Sequence, residues 1–140
     1  MRSTPWCELE KNLALARDWY DASIKHESNP DRQVQLRYSL ANKLSADWQR
    51  FLRAVADGHG LSRTAIKKIR NGGADAIADA YGSPEASPLA GIEDRYAFFP
   101  SFNRFRNAVD HGDEPDTPEL EELEQWMADF RAIGLLYGRN

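Results

Sequence analysis

The sequence predicts an all-α protein, an up-and-down bundle of four to six helices. Three observations carry that prediction. Apolar residues recur at three- and four-residue spacing over most of the 140 positions. Strand-like alternation and internal repeats are both absent. The periodic segments are separated by sharp breaks of Asn-Pro, Gly-rich and Pro-rich composition. At this length, residues 1–140 read as one helical domain.

The first helix is expected from Trp6 to His26, where Leu9, Leu13, Ala16, Tyr20 and Ile24 draw one apolar stripe. Asn29 then caps a second helix, with Pro30 at its first position, where a missing N–H costs nothing. That helix should reach about Ala56, with Val34, Leu40, Leu44, Trp48, Phe51, Leu52 and Val55 facing inward. Asp57-Gly58-His59-Gly60 ends it. Ser62 caps a third, basic helix holding Ile66 and Ile69, which Asn71-Gly72-Gly73 stops or kinks. Ala74 to Tyr81 reads as a short helix, and residues 82–92, with two prolines and two glycines, as a loop.

A helix resumes around Asp94 or Ser101, with Phe102, Phe105 and Val109 at i, i+3 and i+7, and stops at Gly112. After a second break at 113–118, a last helix is expected with Thr117 as cap and Pro118 at its first position. Leu120, Leu123, Met127, Phe130 and Ile133 form its stripe, and Gly138 closes it. Trp6, Trp19, Trp48 and Trp126 lie on or near these stripes and are read as core or interface.

Charge narrows the function. Eighteen Lys and Arg against 22 Asp and Glu leave a net charge of −4, so a globally basic nucleic-acid-binding surface is excluded and only a local basic patch could serve. The single cysteine, Cys7, excludes an internal disulfide framework and fits a reducing cytosol, with a semi-buried thiol expected. No apolar run approaches the roughly 18 residues of a membrane span, and the first ten residues lack the apolar core of a signal peptide. The expectation is a cytoplasmic protein with no membrane partner.

The strongest local signal is Phe105-Arg106-Asn107-Ala108-Val109-Asp110-His111-Gly112. On a helix, Asn107 lies about 100° and His111 about 140° round from Arg106, which gathers the three polar groups on one edge. Phe102, Phe105 and Val109 point elsewhere, into the bundle. A guanidinium can hold a phosphate through two parallel hydrogen bonds and stabilise charge that develops on it. A histidine can move a proton near neutral pH. Arg106, Asn107 and His111 are therefore the candidate catalytic residues for phosphodiester chemistry. Such a site requires Arg106 and His111 to open into a shared cleft. The plainer reading is an i,i+4 ion pair between Arg106 and Asp110, with His111 as a helix cap.

The string Arg106 to Gly112 resembles the signature of the HEPN superfamily, small helical bundles with an Arg, four to six residues, then a His, and often a polar residue after the Arg. The order of elements is similar too: two long helices first, the motif on a late helix, and a last helix to close the bundle. The bare Arg-to-His spacing also occurs from Arg53 to His59 and from Arg104 to His111, but Arg-Asn-x-x-x-His-Gly occurs once. The resemblance implies a metal-independent endoribonuclease acting on RNA as a homodimer, with two motifs facing across the interface and a 2′,3′-cyclic phosphate as product. It implies a setting in toxin–antitoxin or phage-defence systems, with an antitoxin or other protein as a further partner. Some toxins of the group carry a Tyr two positions beyond the His. Here that position is Asp113, so neutralisation through that tyrosine is not implied.

A second motif competes. In Leu52 to Gly72, Ala56, Gly60 and Ile66 fall at helix-turn-helix spacing, and the stretch from Val55 to Asn71 is similar to the first helices of LacI-type repressors. This reading makes the chain a DNA-binding regulator, with Arg63, Lys67, Lys68 and Arg70 reaching the duplex. On the ribonuclease reading the same four cations, together with Arg104, track RNA phosphates. A non-catalytic helical interaction domain is the third possibility. No metal or cofactor is expected: His26 and His59 have no second ligand at i+4, no HExxH is present, and the acidic run from Asp113 to Glu124 matches no calcium loop.

Overall fold

The computed structural model describes residues 4–69, 74–114 and 116–138. Among them the regular structure is all helical, with six α-helices and no strand: α1 Pro5–Trp19, α2 Pro30–Gly58, α3 Arg63–Lys67, α4 Ala74–Tyr81, α5 Phe98–Asp110 and α6 Leu120–Gly138. A π-helical turn, Tyr20–Ile24, extends α1, and a 3-10 turn, Glu93–Arg95, precedes α5. No helix of the described residues is long and apolar enough to cross a membrane.

α1 packs against both α2 and α6, and α5 lies against α6. The first stripe is buried as expected, from Leu9 through Ile24, but it is not one α-helix. The Lys25 N–H bonds back five residues to the Tyr20 carbonyl at 3.1 Å, and this wider turn keeps both Tyr20 and Ile24 in the core. The centre of the bundle is aromatic. Trp48 of α2 stacks on Phe130 of α6 at 4.6 Å between ring centroids. Phe98 and Phe102 of α5 meet Phe130 edge-on at 4.6 and 5.7 Å. Trp126 closes the cluster against Phe102 and Phe105, again edge-on. Such pairs contribute roughly 0.5–1.5 kcal/mol each beyond their buried area. Trp48 and Trp126 are fully buried, while Trp6 and Trp19 pack on the core from its rim.

The helix starts follow the sequence where a side-chain cap is present. Thr4 accepts from the Cys7 N–H, Asn29 from Arg32 and Ser62 from Ala65. Three expectations are corrected. The final helix starts at Leu120 rather than in the Thr117-Pro118 turn, because the buried Arg37 of α2 takes those carbonyls. Its Nη1 donates to Pro118 O at 2.6 Å and to Thr117 O at 3.5 Å. The first intrahelical bond then runs from Leu123 to Glu119, and the Glu122 carboxylate accepts the Glu119 N–H at 3.1 Å, half of a capping box. Val34, expected inward, is 41% exposed. Cys7, expected semi-buried, is exposed as well, because it lies in the first turn of α1 away from the Leu9–Leu13 stripe.

α5 has no capping side chain of its own; its cap is tertiary. Asp129 of α6, 7% exposed, accepts the Phe98 N–H at 3.0 Å through one oxygen and the Gln125 amide at 2.8 Å through the other. The Trp126 indole donates to Ser101 Oγ at 2.7 Å. The start of α5 is therefore pinned to α6, which fixes where its far end emerges.

Candidate functional site

That far end carries Arg106, Asn107 and His111. The helix stops because Gly112 takes φ +73°, a conformation that costs glycine little. The Gly112 N–H bonds to Val109 O at 3.1 Å and the Asp113 N–H to Ala108 O at 2.9 Å, the two bonds of a Schellman motif. His111 is thus the last, capping residue of α5 rather than a member of its final turn.

α2 ends in the same way. Gly60 takes φ +79°, its N–H reaches Asp57 O at 3.0 Å, and the Leu61 N–H reaches Ala56 O at 3.2 Å. Both His-Gly pairs are helix stops, so helix termination alone accounts for the dipeptide. The two rings differ. His59 Nδ1 sits 2.8 Å from the Tyr81 hydroxyl and edge-on to its ring. The His111 ring is exposed and engages no partner among the described residues.

One turn back, Arg106 Nη2 donates to Asp110 Oδ1 at 3.2 Å. The ion pair of the plainer sequence reading is therefore present. Yet the Arg106 side chain is only 16% exposed, so it does not hang in bulk solvent, and its Nε is buried without an acceptor. A guanidinium with a spare, desolvated donor is poised for an added acceptor. Asn107 is exposed on the same edge.

Two cavities open beside this end of α5. One, of about 600 Å³, lies between α5 and the start of α6 and is lined by Arg104, Phe105, Ala108 and the carboxylates of the 113–122 segment. The other, of about 690 Å³, lies between Gly112–Asp113 and the first turns of α2. Arg106, Asn107 and His111 line neither. The cleft expected around Arg106 and His111 is not one of these cavities of the single chain.

Of the expected nucleic-acid contacts, Arg63, Lys67, Lys68 and Arg104 are exposed; Arg70 lies outside the described residues, as does the Asn71-Gly72-Gly73 stop. α3 spans five residues, with Ile69 buried just beyond its end and Ile66 half-buried. Arg53 of α2 donates to the Ile69 carbonyl at 3.1 Å, tying this segment down. A major-groove recognition helix presents several turns to DNA, and five residues supply less than two. Arg104 stands at the acidic cavity rather than on the Arg106 edge. The acidic run is largely exposed, and no group of His, Cys, Asp or Glu among the described residues could hold a metal ion.

Sequence reasoning missed Arg37 and Asp129, the two buried charges that set the ends of α5 and α6. The available signal was a charged residue inside an apolar stripe. No protein-family profile, curated protein or solved structure matches the chain.

Proposed function

We propose that the chain is a metal-independent endoribonuclease of the HEPN type, working as a homodimer in which the ends of two α5 helices face each other across a two-fold axis. The observation that carries this reading is the end of α5. There an unpartnered, exposed His111 ring stands one turn from a largely buried Arg106 whose Nε lacks an acceptor. A single copy presents too little charge to hold a phosphodiester, and the neighbouring cavities do not enclose the motif. Two copies related by a two-fold axis supply two guanidiniums and two imidazoles around one cleft.

In the proposed reaction, Arg106 holds the scissile phosphate and neutralises the charge added in the transition state. One His111 takes the proton of the 2′-hydroxyl as that oxygen bonds to phosphorus. The partner copy's imidazolium protonates the leaving 5′-oxygen as the P–O5′ bond breaks. The products are a 2′,3′-cyclic phosphate and a free 5′-hydroxyl, with protons balanced between the two rings. Asn107 orients the phosphate or the imidazole.

The test is cleavage of labelled RNA by the wild type, Arg106→Ala and His111→Ala, with and without EDTA. The reading expects both substitutions to abolish cleavage while helical circular dichroism is retained, and EDTA to have no effect. Loss of wild-type activity on chelation rejects it, as does a strict monomer at micromolar concentration.

A further inference from the structure

The cavity of about 690 Å³ between α2 and the end of α5 brings apolar, aromatic and acidic residues together. On one side stand Val34 and Tyr38, with Gln35 between them; on the other stand Gly112, Asp113 and Glu114. Val34 is one of three large hydrophobic residues exposed among the described residues. Tyr38 is half-buried, held edge-on against Phe105 at 5.7 Å, so its ring is a fixed plate rather than a mobile arm. Asp113 and Glu114 are exposed and enter no ion pair among the described residues. Carboxylates only accept hydrogen bonds.

We infer that this cavity is a nucleobase subsite for guanine, taking the base next to the scissile phosphate; the inference rests on the ribonuclease reading for that phosphate but not for the base. Two unpaired carboxylates repel a phosphate and favour a group rich in donors. A flat aromatic ring with an adjacent valine suits a base face, since unstacked RNA bases pack on aromatic side chains and are read at their edges. Guanine alone among the four bases presents two neighbouring donors, N1–H and N2–H₂, which match the two oxygens of one carboxylate. The Gln35 amide N–H can serve its O6. Uracil offers two carbonyl acceptors and one N–H, and meets the carboxylates acceptor to acceptor. The cavity adjoins Gly112, the residue after His111, so a base seated there leaves its own 3′-phosphate at the motif.

The test uses the full chain and two probes, guanosine 3′-monophosphate and uridine 3′-monophosphate, followed by two-dimensional NMR. The inference expects the guanosine nucleotide to shift resonances of residues 34–39 and 112–114, and to bind at least about tenfold more tightly than the uridine nucleotide, the loss expected when a charge-assisted hydrogen bond goes unmade. The double variant Asp113→Asn, Glu114→Gln, both at exposed positions, is expected to bring the two affinities together. Arg106→Ala is expected to keep the guanine preference. Equal affinities, or shifts elsewhere on the chain, overturn the subsite. If guanosine 3′-monophosphate binds as stated but no RNA is cut, the subsite stands and the ribonuclease reading falls. If the wild type cuts RNA with no preference for guanine beside the cut, the ribonuclease reading stands and the subsite falls.

Discussion

Gly112 and Gly60 form a natural pair of experiments, because the same cap closes two helices and only one of them bears the candidate site. Both residues are left-handed, at φ +73° and +79°, and a Cβ added at either meets nothing within 4 Å. Replacement by alanine therefore incurs a backbone cost and no steric one. The left-handed conformation costs an L-residue roughly 1–2 kcal/mol, and the stiffer unfolded chain returns about 0.4–1 kcal/mol of it. Gly112→Ala and Gly60→Ala should each destabilise the protein by about 1 kcal/mol, a fall in Tm of roughly 3–5 °C for a domain of this size. Urea denaturation followed by circular dichroism measures both. Function should separate them: Gly112→Ala displaces the His111 cap and lowers RNA cleavage below that of Gly60→Ala, assayed well under the melting temperature. Stabilisation by either substitution would refute the cap geometry, because it requires a backbone that alanine adopts without strain. An equal effect of the two on cleavage would refute the positioning of His111 by this cap.

Three further outcomes follow from the packing. Asp129→Ala strips the buried Phe98 N–H of its acceptor and should cost about 1–3 kcal/mol in chemical denaturation, with the loss of protection from hydrogen exchange concentrated in α5. Gly134→Ala, which in an open helix would gain about 1 kcal/mol, should instead lose about 1 kcal/mol. Its Cβ would run into Cε3 and Cζ3 of Trp6 and lie 3.1 Å from Leu9 Cδ2, and overpacking of this kind costs roughly 1–3 kcal/mol. Burial raises the phenol pKa of Tyr20, with Glu124 adding to the effect, and burial alone raises that of Tyr81. The folded state then holds these protons more tightly than the unfolded chain, so stability is complete below the ordinary tyrosine pKa of about 10 and falls as pH rises beyond it; denaturation midpoints across alkaline pH check this.

What the sequence made legible was whatever is local. Asn29-Pro30, Ser62 and the two His-Gly stops act within one turn of the chain, and all four mark helix ends where the spacing places them. The apolar stripes also carried the core, from Leu9 to Ile133. Misreadings arose where a partner distant in sequence decides. Arg37 lies in the stripe of α2 yet reaches 81 residues ahead to Pro118, moving the start of α6. Asp129 replaces a cap that α5 lacks. Val34 keeps the helical period, but α2 runs for 29 residues, longer than α1 or α6. The face of its first turns that carries Val34 therefore looks across an open cavity at the segment after α5. The candidate site was legible as three residue types on one helix edge. The Arg106–Asp110 ion pair was legible as well, from its i,i+4 spacing, whereas the burial of Arg106 depends on side-chain packing, which periodicity does not report.

The chemistry of the cut ends decides whether His111 drives metal-free transesterification. RNA incubated with the wild type in EDTA should yield fragments ending in a 2′,3′-cyclic phosphate, with 5′-hydroxyl partners, identified by mass spectrometry, and His111→Ala should yield none. Intact RNA with the wild type, fragments ending in a 3′-hydroxyl and 5′-phosphate, or the same fragments from His111→Ala would contradict it.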